Sequence, residues 1–215
     1  MNASGRTHIR PVARLLSNNV FVNCPFDDGF KPIFDGIVFA VFDLGFVPRC
    51  ALEDDDGGEV RLAKIERIIE RCKFGIHDVS AVELDKVNNL PRFNMPLELG
   101  IFLGCRRFGP SNQRKKISLI LDVEDHRYQK FISDIAGQDI HAHNRNPEIA
   151  IREVRNFLAS ASKRQRLPGG ADVVTRYRRF RADLPGLCAA ARLEPDKLTF
   201  SDLTKMIVNW LRTSR

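Results

Sequence analysis

Short apolar runs alternate with segments of helical periodicity along most of this chain, and that alternation constrains its fold more than any other feature. Val20 to Asn23 is the first run, ending in the loop Cys24, Pro25, Phe26, Asp27, Asp28, Gly29. Phe30, Ile33, Phe34, Ile37, Val38 and Val41 then recur at helical spacing, and Gly45 stands where a helix takes its left-handed cap. A second strand is expected over Phe46 to Arg49. It is followed by an acidic loop, Glu53 to Glu59, and a helix marked by Arg61, Ile65, Ile68, Ile69 and Cys72. Phe74 to His77 reads as strand three. The polar stretch from Asp78 to Arg92 is a long loop of the kind that often carries function. A third helix is expected to start near Asn94 as its N-cap, with Pro96 in the first turn. Gly100 and Gly104, one turn apart, predict close approach of that helix to the sheet. Strand four is Ile117 to Leu121, a helix is expected over Arg127 to Ile135, strand five over Asp139 to Ala142, and a last helix over Pro147 to Leu158.

Strands that are apolar throughout, each followed by a helix, imply a parallel sheet covered on both faces, because right-handed crossovers place the helices there. Five such units predict an α/β flavodoxin-like five-stranded parallel sheet spanning residues 17–160. In that order the topological switch lies between strands one and three, and ligands bind beyond the carboxyl ends of the strands. The crevice is therefore expected at Cys24, Pro25, Phe26 and Asp27 after strand one and at His77 and Asp78 after strand three. The start of the helix carrying Glu98 lies beside them.

Glu98 falls on a helix stripe with Asn94, Ile101, Phe102 and Cys105, which screens its carboxylate partly from water near a helix N-terminus. Burial raises the pKa of such a group and the helix dipole lowers it, and the sequence leaves the balance open. An acid in a first helical turn also has a purely structural use. Phe26 reads equally as a stacking platform or a core residue, Arg49 as a phosphate contact or a surface ion pair, and His77 as a ligand contact or a satisfied strand-end histidine. Asp78, directly after a buried strand at the switch, has fewer structural reasons to be there, although it can cap the following turn.

Hydrophobic residues form 43% of the chain and charged residues 28%, which excludes a disordered class. The longest apolar stretch, Gly36 to Phe42, is too short to cross a bilayer, so a cytoplasmic protein without membrane contact is expected. Five cysteines without a C-x-x-C pair read as mostly buried free thiols, and His141 and His143 alone do not complete a metal set; no metal is expected.

The net charge of +7 is unevenly placed. Residues 1–16 carry three arginines and no acid, residues 17–160 carry 19 basic and 22 acidic side chains, and residues 161–215 carry 12 and 5. Residues 1–16 read as a basic N-terminal arm and 161–170 as a linker. Residues 171–215 read as a small basic helical appendage, with helices at Tyr177 to Leu184, Gly186 to Leu193 and Leu203 to Trp210. Lys163, Arg164, Arg166, Arg176, Arg178, Arg179 and Arg181 could meet nucleic acid, but a solvated helix face explains them without a reading motif. The stripe Leu203, Ile207, Trp210 and Leu211 predicts packing, on the α/β domain or on a second subunit of a homo-oligomer.

The strings VFVNCPF at Val20 to Phe26, GIHDVS at Gly75 to Ser80 and FNMPLELG at Phe93 to Gly100 resemble the nucleoside 2-deoxyribosyltransferase and TIR-like superfamily over residues 19–160. In that superfamily a helix-borne glutamate, followed two places on by a small residue, acts at an N-glycosidic bond; Glu98 and Gly100 match this pattern. The resemblance implies that Cys24, Pro25 and Phe26 contact base or ribose, that Asp78 orients a ribose hydroxyl or base, and that Arg49 or Arg92 meets phosphate. Deoxyribosyltransferases usually place Asp-x-Gly ahead of the glutamate, where this chain has Arg92 and Asn94. The implied activity is hydrolysis or transfer of an N-glycosidic bond in a nucleotide or nucleoside, with NAD the leading substrate and no separate cofactor. A non-catalytic nucleotide sensor or assembly module using the same crevice is the alternative.

Overall fold

A computed structural model describes residues 18–53, 56–84 and 89–214. Five parallel strands, β1 (Asn19–Asn23), β2 (Val47–Arg49), β3 (Phe74–Asp78), β4 (Ile117–Asp122) and β5 (Ile140–Ala142), form one sheet in the order β2-β1-β3-β4-β5. This is the flavodoxin-like order. The register brings Asn23 opposite His77 across the switch between β1 and β3.

Strand alternation divides the core in two. Val20, Val22, Phe74, Ile76, Leu119 and Leu121 point to one face, where α1 (Lys31–Asp43) and α4 (Pro147–Ser162) cover them. Phe21 meets α2 (Arg61–Glu70) and α3 (Asn94–Phe108) on the other face, and Ile120 packs with Leu99 of α3. All of these strand side chains are buried, the signature of a sheet sandwiched between helices. Gly45, with φ +78°, ends α1 in the left-handed region as its position predicted.

The C-terminal helices α5 (Gly170–Ala191) and α6 (Phe200–Thr213) dock on the α/β domain and extend the same core. Phe39 of α1 sits against Tyr177, Phe180 and Trp210, with ring centroids 5.4, 5.3 and 5.9 Å away. Leu203, Ile207, Trp210 and Leu211 are all buried, so their stripe is a packing stripe. The basic residues of this region are used in the seam. Arg176 binds Asp43 through Nε and Nη2 at 2.9 and 2.5 Å, Arg181 lies 3.1 Å from Asp35, and Arg178 donates twice to Glu148 at 2.6 Å. Arg164 donates to the Leu44 carbonyl and to Asn18, and its guanidinium stacks over Phe46. Four of the seven cations considered for nucleic acid thus hold the fold together.

Several local expectations are corrected. The helices expected at Tyr177 to Leu184 and Gly186 to Leu193 are one helix, α5, with Pro185 inside it. The proline removes a hydrogen bond, but Phe180, Leu184 and Cys188 on both sides of it are buried, and their packing holds the helix through the defect. Arg127 to Ile135 forms two short 3-10 turns, Arg127–Lys130 and Ser133–Ile135, entered through His126 in a left-handed conformation. Asn94 is the first residue of α3 rather than its cap; Phe93 holds the cap position and no side chain caps the helix. A Cβ on Gly100 or Gly104 would meet nothing within 4 Å, so neither glycine lies against the sheet. The close approach is made on the strand side, at Gly75. A Cβ there would come within 2.6 Å of His77 Nε2 and 2.8 Å of Phe102, which packs from α3. The arm at residues 1–16 lies outside the described residues.

Candidate functional site

Asn23 builds the site, because its side-chain amide ties three elements together. Nδ2 lies 3.1 Å from His77 Nδ1 on β3 and donates to the Met95 carbonyl of α3 at 2.9 Å. The end of β1, the end of β3 and the first turn of α3 are thereby fixed to one another. His77 supports this joint from inside. It is fully buried, edge-on to Phe21 and Phe102, and burial pushes its pKa down to about 3, with Lys116 adding to the effect. The imidazole is neutral, and accepting from Asn23 at Nδ1 leaves the proton on Nε2. Lys116 closes α2 from below by donating to the Ile69 and Cys72 carbonyls at 2.6 and 2.5 Å.

In front of this joint opens a cavity of 180 Å³. Seven of the residues singled out in the sequence line it: Cys24, Pro25, Phe26, Asp27, Arg92, Asn94 and Glu98. Met95, Ala81 and Arg61 complete the wall. Glu98 is 7% exposed, and burial raises its pKa from 4.5 to about 7 against the opposing pull of Arg61. Burial therefore outweighs the nearby cation. Among the described residues Glu98 has neither an ion pair nor a hydrogen bond. Its far side borders a 210 Å³ hollow between α2 and α3, lined by Arg61, Leu62, Ile65 and Leu97. Cys24 is also buried; desolvation and then the nearby carboxylates of Asp78 and Glu98 hold its thiol protonated, so it supplies wall rather than nucleophile. Asp27 Oδ1 accepts from the Phe30 amide at 3.0 Å, which shapes the loop into α1.

The other three sequence candidates lie elsewhere. Arg49 forms a bidentate pair with Glu53, at 2.6 and 2.5 Å. His77 is sealed behind Asn23. Asp78 is fully buried; its Oδ1 accepts from the Ser80 amide at 2.9 Å and from the Ser80 hydroxyl, and its Oδ2 lies 2.9 Å from His143 Nε2 without the alignment of a hydrogen bond. His143 Nδ1 accepts from the Arg145 amide at 3.1 Å, which puts the ring proton on Nε2, facing Asp78. Asp122, at the end of β4, takes Arg127 in two hydrogen bonds, and Arg127 reaches on to the Ser80 carbonyl at 2.6 Å. These groups brace the carboxyl ends of β3, β4 and β5 beneath a larger hollow of 540 Å³, lined by Pro25, Asp27, Ser80, Ala81, Arg92 and Arg145 among others.

Sequence reasoning missed Arg61, Met95, His143 and Arg145. Asp122 ends β4 as Asp78 ends β3, but in the sequence its greater distance from the switch sets it aside; His143 follows β5, whose residues are only half-buried, so the same signal is weaker there. Arg61 had no such mark, since its place beside Glu98 depends on how α2 packs against α3. Compared with known proteins, the chain matches no family model and no curated protein.

Proposed function

We propose that this protein cleaves the N-glycosidic bond of a nucleotide, by hydrolysis or by transfer, with NAD the leading substrate. One observation carries the reading: the carboxyl group of Glu98 is screened from water yet lines a cavity at the switch point of the sheet, with its pKa raised to about 7. Perturbed carboxyls in such places are where catalytic acids and bases are found. The resemblance of the segments around Cys24, Asp78 and Glu98 to the deoxyribosyltransferase and TIR-like superfamily points the same way.

Rupture of the bond between the anomeric carbon and the base nitrogen sends the electron pair to the base. A nicotinamide bound in NAD is already cationic and leaves neutral, so no acid is required to protonate it. Positive charge develops on the ribose, and the Glu98 carboxylate opposes it, either through space or as a transient ester at the anomeric carbon. A water or an acceptor nucleophile then takes that carbon and gives up a proton. Only ionised Glu98 can do this, so kcat/KM rises with pH through about 7. Phe26 flanks the base, and Arg92 meets a phosphate.

Incubation of the purified protein with NAD and with common nucleosides, followed by chromatography for free base, tests the reading. Absence of free base at high protein concentration sinks it. The second reading, a nucleotide-binding module without turnover, is favoured by the sealing of Asp78 and His77, which leaves Asp27 and Glu98 as the acids of the cavity. Calorimetry that finds saturable nucleotide binding with no product supports that alternative.

A further inference from the structure

Phe26 and Asp27 line the Glu98 cavity and also a second one of 270 Å³. The second is walled by the segment entering α6: Leu198, Thr199 and Phe200 face Phe34 of α1 and Leu52 of the loop after β2. We propose that this second cavity is the subsite for the distal base of a dinucleotide, a planar purine, while the ribose next to the scissile bond sits at Glu98. The proposal rests on the N-glycosidase reading and names the substrate class it acts on.

The walls favour a flat apolar ring. Phe26 is 39% exposed, and its ring stands edge-on to Phe34 at 5.4 Å. Phe34 in turn lies 6.0 Å from Phe200. Aromatic faces of this kind stack nucleobases of any identity. The charges around the cavity do not select an anion: Lys31 and Lys197 are offset by Asp27, Asp28 and Asp196. Size agrees with a two-part ligand. Pockets for drug-sized ligands occupy about 300–1,000 Å³, which neither cavity reaches alone and the two sharing Phe26 reach together. The C-terminal helices then determine specificity as well as support the core.

Adenosine 5′-monophosphate, which carries the distal half alone, is the binding probe. NAD and nicotinamide mononucleotide, which share the scissile bond and differ in that half, are the substrate pair. Calorimetry on the wild type, Glu98→Gln, Leu52→Trp and Phe200→Ala is expected to show the monophosphate binding equally to the first two. Binding is expected to weaken by about tenfold when the cavity is filled from Leu52 or loses its Phe200 wall. The KM for NAD is expected to rise by the same factor in Leu52→Trp, with turnover of the mononucleotide unchanged; melting curves establish that both cavity variants are folded. Monophosphate binding that is absent, or equal in all four proteins, overturns the subsite, as does a KM that rises alike for both substrates. If neither substrate is turned over, the N-glycosidase reading has failed, and the monophosphate comparison alone decides the subsite.

Discussion

Helices α1 and α3 both carry carboxylates out of water, and their surroundings treat them in opposite ways. On α1, Asp35 is held by Lys31 and Arg181, and Asp43 by both arms of Arg176. Even so, desolvation raises the Asp35 pKa more than the two cations lower it. On α3, Glu98 is nearly as buried, and Arg61, which lines the same cavity without a hydrogen bond to it, counters the burial only in part. Buried charge is tolerated at the α1 seam because it is neutralised by partners that also dock α5. At α3 the charge faces a cavity, and Arg61 offsets only part of its cost. The contrast separates acids that hold the fold from an acid held by it.

The largest expected effect breaks the contrast at α3. Glu98→Gln keeps size and helix position and removes the charge, so turnover is expected to fall by about a hundredfold or more, the scale of a lost electrostatic stabiliser. Turnover per folded molecule equal to wild type removes Glu98 from the chemistry.

At the seam the loss should appear in stability instead. Arg176→Ala strips Asp43 of its bidentate partner, and unfolding in urea is expected to register a loss of about 2–3 kcal/mol with little change in activity. Adding Asp43→Asn to the same chain should restore part of it, because the desolvated charge, rather than the missing contact, is the main cost.

A somewhat smaller effect sharpens the difference through pH. Glu98 titrates near 4.5 when unfolded and near 7 when folded, so the folded state holds a proton that the unfolded state has given up between those values. Its contribution is present below pH 4.5 and is lost as pH rises through 7. Wild-type stability is therefore expected to fall by about 2 kcal/mol from this group between pH 5 and pH 8, and Glu98→Gln should lack that decline. At pH 8 the variant is expected to be the more stable protein, which would mark Glu98 as retained for something other than stability.

The smallest effect concerns the same helix. Gly100 and Gly104 sit within α3 with open space where a Cβ would go. Gly104→Ala is expected to stabilise by about 0.5–1 kcal/mol with no effect on nucleotide binding. Gly100→Ala should stabilise equally; a rise in KM at that position alone would show that the small residue two places after Glu98 leaves room for a ligand.

The strand order and the position of the crevice were legible because both follow from patterns that are local in the chain. The alternation of Val20, Phe21 and Val22 between two faces needs only their apolar character, and parallel crossovers then place the loop at Cys24 beside the start of α3. Glu98, Phe26 and Asp27 followed from that geometry. The reading failed where a distant contact overrides a local signal. Pro185 and Gly186 look like a helix end, yet buried neighbours from α1 and α6 carry α5 past them. Gly100 and Gly104 look like a close approach, but the partner that needed to be small was Gly75, on the strand and beneath Phe102. Asp78 looked like a ligand residue because its position is right. Its orientation toward Ser80 and His143 is set by a strand end more than sixty residues away along the chain, as counted from the sequence numbers.

The enclosure of α1 also orders events during synthesis. Phe39 is covered by Tyr177, Phe180 and Trp210, so the helix formed early in the chain stays without its lid until α6 has left the ribosome. A nascent chain ending after α4 displays an apolar helix flank, with Asp35 and Asp43 still lacking the cations of α5, features that recruit holding chaperones and proteases. Completion of this fold is thus timed by the arrival of α5 and α6 rather than by growth of the sheet.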